Sequence, residues 1–128
     1  HVRSRRQRQM CIRDREGIDL FKKKKFEAAK FKFEQDIVIN PKSELSYLYL
    51  SKIFKKFDKI DLQERNLNTV ILINPGNEEA TFYLAKLKLE SSDYKKSKEL
   101  NDRLSSFCNK YCSESQKLKI EIENLSKK

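Results

Sequence analysis

Two cysteines near the C-terminus, Cys108 and Cys112, have the greatest potential for redox or metal chemistry. A structural zinc site needs four ligands. His1 and Cys11 belong to an Arg-rich N-terminal segment with no apolar period, and residues 16–128 contain no further Cys and no His. A Cys–His catalytic pair is excluded on the same ground. Two interpretations remain open: the cysteines are separate small residues of a turn, or they form a disulfide. A regular helix keeps i and i+4 sulfurs apart, so a disulfide requires a bent turn here.

Signatures of other catalytic chemistry are missing from the sequence. It contains no Gly-rich phosphate loop, no Ser/His/Asp set and no Glu-x-x-His pair. Glu121 and Glu123 fall on a helix whose charged side chains face solvent, which does not favour a paired acid–base role. No apolar run reaches about 18 residues, so no membrane span is predicted. We therefore predict that the protein is not an enzyme and uses no metal or cofactor.

Half of the net charge of +10 lies in residues 1–15, which carry six Arg and one Asp. The segment "RRQRQMCIRD", Arg5 to Asp14, resembles the translation of a transposon-end adapter used in sequencing libraries. We therefore interpret residues 1–15 as adapter-derived and the native N-terminus as missing. The alternative is a basic arm that binds nucleic acid. Residues 16–128 have 23 basic and 18 acidic side chains spread along the chain, a balance that does not favour nucleic-acid binding.

The tripeptide Ile-Asn-Pro occurs at residues 39–41 and again at residues 73–75, and these are the only two prolines of the chain. Proline cannot continue a helix, and it also disfavours helical conformation in the residue before it. Each Asn-Pro therefore predicts the end of a helix. Ser43 and Asn77 follow as N-caps, with acidic residues in the next turn. The regular spacing of the two tripeptides predicts a repeat of two helices per unit.

Small and apolar residues also recur in this register. Phe26, Ala29, Phe33 and Ile37 form one helical stripe. Gly17, Ser51 and Ala85 occupy corresponding places in successive first helices, and Ala29 and Ser97 do so in second helices. Close helix crossings require such small side chains. The segment from Ser43 to Phe57 is apolar on more than one side, which is typical of a helix buried between neighbours.

This pattern resembles the tetratricopeptide repeat (TPR), a helix-turn-helix unit of about 34 residues. The resemblance implies an all-α, right-handed α-solenoid with repeats at about 16–42, 43–76 and 77–111 and a capping helix at 113–128. Ser113 and Gln116 form a candidate capping box for that helix. The sequence departs from the family pattern at Gln63, Lys88 and Asn101, and no proline closes the third repeat.

The resemblance also implies a concave groove lined by the first helix of each repeat, with a protein or peptide partner. The implied lining residues are Ile18, Phe21, Lys22, Leu45, Leu48, Lys52, Lys55, Phe82 and Lys86. Apolar side chains mixed with lysines suit an acidic or amphipathic peptide. The competing interpretation is that Leu48 and Phe82 fill a narrow groove and that the lysines are only solvated. Ile18 and Tyr83 depart from the family's chaperone-tail clamp, so that subclass is not indicated.

Three further points stay open. The run from Lys22 to Lys25 is either a solvated turn near a helix end or a contact for an acidic partner. The segment from residue 104 to 122 resembles the end of small exported bacterial TPR proteins, which implies a periplasmic location if the cysteines are paired and leaves a cytoplasmic one open. The alternatives to a peptide-binding scaffold are a TPR module of a longer, truncated protein and a nucleic-acid-binding helical repeat.

Overall fold

The computed structural model describes residues 14–127, and that range contains seven α-helices and no strand. Helix α1 spans residues 14–22. The others are α2 Phe26–Ile39, α3 Glu44–Lys56, α4 Ile60–Ile73, α5 Glu78–Glu90, α6 Tyr94–Phe107 and α7 Cys112–Ser126. Among these seven helices, none has the length and apolarity needed to cross a bilayer.

The helix boundaries repeat with the spacing that the two Asn-Pro pairs predict. Helices α2, α4 and α6 begin at Phe26, Ile60 and Tyr94, and each start follows the last by the same interval that separates the two prolines. Helices α3, α5 and α7 begin with this same spacing. The final helix therefore begins in the register of another first helix, at Cys112, one residue earlier than predicted.

The helix ends follow the predicted chemistry, with one exception. The Ser43 side chain accepts a hydrogen bond from the Ser46 amide, and the Asn77 side chain accepts one from the Ala80 amide. The predicted capping box at the last helix is wrong. Ser113 lies inside α7, whose N-cap is Tyr111, and no side-chain cap hydrogen bond is made there.

The turn inside each helical pair uses a residue in the left-handed region. Lys24, Asp58 and Ser92 have φ values of 62°, 58° and 64° and occupy corresponding positions of successive repeats. In the first turn the Lys25 amide donates to the Leu20 carbonyl, and the Lys24 amide donates to the Phe21 carbonyl. The other two turns repeat these bonds, which define the motif in which glycine is usually found at the left-handed position.

Glycine at these three positions is expected to stabilise the protein. A side chain destabilises the left-handed conformation, and Lys24 lacks the short polar group that makes it tolerable for Asp58. We expect Lys24→Gly to raise the free energy of unfolding by about 1 kcal/mol. Urea denaturation followed by circular dichroism would measure it. Lys24→Ala removes the same charge without relieving the backbone, so an equal gain in that variant would contradict the explanation.

The chain divides into two compact units, His1–Thr69 and Val70–Lys128. In the N-terminal unit α2 packs on α3, and the core consists of Ala29, Phe33, Leu50, Ile53 and Phe54. Gly17 of α1 has its predicted packing role, since a Cβ there would lie 2.7 Å from Cζ of Phe33. Most of the adapter-like segment lies outside the described residues, although Asp14 and Arg15 form the start of α1.

A buried carboxylate lies between α2 and α3 of the N-terminal unit. Asp36 is 1% exposed, and its Oδ2 accepts a hydrogen bond from the Ser46 hydroxyl. Asp14 also lies beside Ser46, with 3.5 Å between the Ser46 hydroxyl and its Oδ1. Burial, followed by the negative charge of Asp36, raises the pKa of Asp14 to about 6. The sequence pattern does not mark Asp36 as buried, because an acidic residue in a helix is usually solvated.

In the C-terminal unit α6 packs on both α5 and α7. Small residues permit the contact between α5 and α6: Ala85 is fully buried, and its carbonyl accepts a hydrogen bond from the Ser97 hydroxyl at 2.7 Å. Two reciprocal hydrogen bonds connect α6 to α7. The Asn101 side-chain amide donates to the Ser115 carbonyl, and the Ser115 hydroxyl donates to Asn101 Oδ1. Asn101, which departs from the apolar family pattern, is therefore hydrogen-bonded to the next helix through both ends of its amide.

Candidate peptide-binding surface

In the N-terminal unit, an aromatic cluster on α1 and α3 has a lysine beside it. The Tyr49 ring lies 5.2 Å from that of Phe21 and 5.1 Å from that of Phe33, between ring centroids. The Lys52 ammonium lies 4.8 Å from the centre of the Tyr49 ring, within the range of a cation–π interaction. We call Phe21, Tyr49 and Lys52 the N-terminal surface. The repeat pattern does not identify Tyr49, although its position three residues before Lys52 places both on one helix face.

The other predicted lining residues of this unit differ in exposure. Ile18 is half-buried against the core cluster, whereas Leu48 is only 8% exposed and presents little surface to a ligand. Leu45 is 37% exposed at the start of α3. Lys22 and Lys55 are exposed near the ends of α1 and α3. Among the predicted lining residues of this unit, Phe21 and Lys52 lie close together, because both contact the Tyr49 ring.

In the C-terminal unit, a second cluster lies on α5 and on the turn before α7. The Phe82 ring centroid lies 5.6 Å from that of Tyr83 and 5.4 Å from that of Tyr111. The Lys86 ammonium lies 5.6 Å from the centre of the Phe82 ring. We call Phe82, Tyr83, Lys86 and Tyr111 the C-terminal surface. All four side chains are half-buried, so each keeps some surface available for contact.

The turn that carries Tyr111 is held by one carboxylate. Glu78 Oε1 accepts hydrogen bonds from the amides of Asn109, Lys110 and Tyr111 at 2.6, 3.0 and 3.0 Å. These amide donors, that of Asn109 above all, lower the pKa of Glu78. The sequence predicts only that Glu78 lies in the first turn of α5, where a negative charge is favourable. It does not predict the contact with the turn before α7, because no local pattern connects two segments so distant along the chain.

A disulfide closes the same turn. The structure joins Cys108, just after α6, to Cys112, the first residue of α7, with 5.4 Å between their Cα atoms. The two residues lie in different elements separated by a bend, which brings their sulfurs within bonding distance. Two independent constraints, one covalent and one through Glu78, thus fix the position of Tyr111.

Removing the Glu78 carboxylate is expected to free the turn before α7. In Glu78→Ala the three amides lose their acceptor, so we expect their hydrogen exchange to become about tenfold faster. Exchange measured by NMR at Asn109, Lys110 and Tyr111 would test this. Glu90→Ala, which removes an exposed carboxylate from the end of the same helix, serves as control. Unchanged exchange in Glu78→Ala would show that the carboxylate does not hold the turn.

The electrostatic environment of Tyr111 is negative. Burial is the main cause that raises its pKa to about 12, and the charges of Glu79, Glu114 and Glu78 act in the same direction, as does Tyr83. Within residues 14–127 no group of three or more His, Cys, Asp or Glu is placed to hold a metal ion. Both surfaces consist of aromatic rings with charged side chains beside them, which can make apolar, cation–π and ionic contacts with a ligand.

The two surfaces share the position of their lysines. Lys52 and Lys86 are one repeat period apart and occupy corresponding places in α3 and α5. Each ammonium lies over an aromatic ring of its own helix. The rings themselves do not correspond, because Phe82 takes the place of Leu48 and Tyr83 that of Tyr49. Each of these two first helices nevertheless carries a ring with a cation beside it.

Comparison with solved structures shows which fold carries these surfaces. The Yersinia enterocolitica type III secretion chaperone SycD, in complex with a peptide of the translocator YopD, is similar with a TM-score of 0.82 and 14% identity, covering 94% of this chain and 95% of that one. The TPR2B domain of yeast Sti1, in a complex with an Hsp70 peptide, has a TM-score of 0.80 and 15% identity, covering 89% and 98%.

A third similar structure is the first TPR of Spaghetti (RPAP3) bound to the HSP90 peptide SRMEEVD, with a TM-score of 0.76 and 13% identity, covering 91% of this chain and 94% of that one. No family model matches the sequence, and no curated protein matches it. The likeness in structure is extensive, whereas the identity is low. The chain therefore has an all-α fold of the tetratricopeptide-repeat class, as the period of the sequence predicts.

Proposed function

We propose that this protein is a non-catalytic scaffold that binds a peptide segment of a partner protein through the first-helix faces of its TPR-like repeats. The observation that carries the proposal is the recurrence of an aromatic ring with a lysine beside it, Tyr49 with Lys52 and Phe82 with Lys86. Aromatic side chains contribute large contact areas at little entropic cost, and lysines attract acidic residues. A peptide with apolar and acidic side chains matches both properties.

The structural neighbours support this class of function. SycD, RPAP3 and Sti1 are each described in complex with a peptide, and their fold extends over most of this chain. At 13–15% identity the likeness carries no information on which peptide is bound here. The chemistry of the partner is therefore inferred from the side chains of this chain alone.

A selection experiment tests the proposal and identifies suitable peptides at the same time. A phage-displayed library of random peptides is selected on the protein, and enriched peptides are synthesised and measured by fluorescence anisotropy. We expect acidic, amphipathic peptides with micromolar Kd whose affinity falls with salt. We expect Lys52→Glu or Lys86→Glu to weaken them at least about tenfold, because each reverses a charge beside an aromatic ring.

Lys95→Glu on α6 is the matched control, since it makes the same charge change at an exposed residue of a second helix. If the enriched peptides bound Lys52→Glu and Lys86→Glu as tightly as they bind Lys95→Glu and the original protein, neither surface would be the binding site. A selection that yields no binder would reject peptide recognition itself.

The HSP90 peptide SRMEEVD provides a specificity test. Ile18 and Tyr83 stand at positions where the sequence departs from the chaperone-tail clamp, and both side chains are half-buried in the structure. We therefore expect no saturable binding of labelled SRMEEVD below about 1 mM. Tight binding of this peptide would show that the chain recognises chaperone tails by another set of contacts.

A further inference from the structure

One face of α3 changes from apolar to basic along its length. Leu45, Tyr49, Lys52 and Lys56 follow one another at intervals of three or four residues, which places them on the same helix face. Leu45 is exposed near the start of the helix, Tyr49 and Lys52 are half-buried, and Lys56 is exposed at the last residue. The N-terminal surface therefore lies between an apolar end and a basic end of α3.

Four lysines lie at the C-terminal ends of α1 and α3, and all four are exposed. Phe21, directly before the first pair, and Phe57, directly after the second, both pack against the core cluster of the N-terminal unit, so the two pairs adjoin one core. The Phe21 ring also contacts the Tyr49 ring of the N-terminal surface. We call these lysines, Lys22, Lys23, Lys55 and Lys56, the basic end of that surface.

The charges of the basic end are not neutralised by ion pairs. No carboxylate of residues 14–127 forms a salt bridge with any of the four lysines, and this includes Asp19 and Asp58, which flank them in sequence. On α2 of the same unit, by contrast, Lys32 pairs with Glu16 at 3.1 Å. Adjacent ammonium groups repel one another, and an anionic ligand would relieve that repulsion.

We propose that the basic end binds a cluster of acidic residues in the partner peptide, while Leu45 at the opposite end of α3 binds an apolar residue of the same peptide. The inference rests on the proposed peptide-binding function and refines it, because it specifies the order of the partner's side chains. Leu45 and Lys56 are about 16 Å apart along the axis at the rise of an α-helix. An extended peptide spans that distance in about five residues, which is therefore the expected separation of its apolar and acidic parts.

Two features favour a peptide over a nucleic acid at the basic end. The basic end is continuous with the aromatic and apolar residues of the N-terminal surface and α3, and an amphipathic peptide can contact all three kinds of side chain at once. The basic end itself contains no ring on which a base could stack, and it contains no arginine, the residue best suited to phosphate recognition.

A pair of synthetic peptides tests the proposed order without knowledge of the partner. The probe has two leucines at one end, four glutamates at the other and a Gly/Ser spacer of about five residues with one phenylalanine between them. Its control is a scrambled isomer of identical composition, and both are titrated into the ¹⁵N-labelled protein. We expect the probe to bind with a Kd below about 1 mM and the isomer to bind at least about fivefold more weakly. Equal affinities, or no binding of the probe, would overturn the proposal.

Spin labels on the probe locate its two ends. A nitroxide at the glutamate end should broaden the amide signals of Lys22, Lys23 and Lys56 more strongly than that of Leu45, because broadening falls steeply with distance. A nitroxide at the leucine end should give the reverse order. Equal broadening at both ends of α3 would contradict the proposed orientation.

A matched pair of double variants separates the basic end from a general effect of net charge. Lys22→Glu with Lys23→Glu should weaken the probe at least about tenfold. Lys117→Glu with Lys119→Glu makes the same charge change at exposed residues of α7 and should leave the Kd within about twofold. Equal losses in the two double variants would reject the basic end. Tighter binding of a single-stranded DNA oligonucleotide than of the probe would instead assign the basic end to nucleic acid.

Failure of this inference is distinguishable from failure of the proposed function. If selected acidic peptides were weakened by Lys52→Glu but not by the double change at Lys22 and Lys23, peptide binding would stand and the basic end would be rejected. Selected peptides that both changes leave unaffected would contradict both.

Discussion

Replacing Phe33 with alanine is expected to lower the free energy of unfolding by at least about 3 kcal/mol. The Phe33 side chain is fully buried in the N-terminal core, and its ring stacks on that of Tyr49. It also fills the space that Gly17 leaves open on α1. The truncation therefore creates a cavity bordered by three helices, and the stiff helices cannot close around it fully.

Urea denaturation followed by circular dichroism would measure the loss. Phe31→Ala is the matched control, because Phe31 lies on the same helix and is 60% exposed. We expect that variant to remain within about 0.5 kcal/mol of the original protein. If the two alanine variants were equally stable, the assignment of Phe33 to the core would be wrong.

The second large effect is expected at Asn101, the residue that corresponds to Phe33 and Leu67 in the repeat register. Leu67 is fully buried like Phe33, whereas Asn101 is a buried amide bonded twice to Ser115. Asn101→Ala removes both hydrogen bonds and leaves the Ser115 hydroxyl buried without its acceptor. We expect a loss of about 2 to 3 kcal/mol in the free energy of unfolding.

The same denaturation experiment measures this loss, and Asn68→Ala on an exposed part of α4 is the control. A double-mutant cycle with Ser115→Ala isolates the bond from the Ser115 hydroxyl, since alanine keeps the backbone carbonyl to which the Asn101 amide donates. Ser115→Ala should therefore cost little once Asn101 is absent. Asn101→Leu should not restore stability, although leucine occurs at the corresponding place in α4. Full restoration by leucine would indicate that the third repeat is held by apolar packing like the other two.

The architecture is predictable from the sequence because its determining interactions are local or strictly periodic. Asn40-Pro41 and Asn74-Pro75 end helices by backbone sterics, and Ser43 and Asn77 cap helices through bonds to residues three positions away. The need for a small residue at Gly17 also follows from the period alone.

The features that sequence reasoning missed depend on distant parts of the chain. Glu78 holds the turn before α7 from 31 to 33 residues away, and that contact replaces the capping box expected at Ser113. Tyr111 enters the C-terminal surface only through this turn. Tyr49 is one of several aromatic residues in α3, and the pattern alone does not say which ring faces Phe21. The disulfide is one of the two interpretations that the sequence leaves open, and the bend between α6 and α7 decides in its favour.

The three left-handed turn residues have a practical consequence for engineering. Lys24, Asp58 and Ser92 all have the left-handed conformation, which Asp58 tolerates better than Lys24, and none of the three belongs to the N-terminal or C-terminal surface. Since distant substitutions usually add and the gain at Asp58 is smaller, glycine at all three would give a background more stable by roughly 2 kcal/mol. Such a background would tolerate charge reversals at Lys52 or Lys86 without unfolding. Loss of peptide affinity could then be attributed to recognition alone.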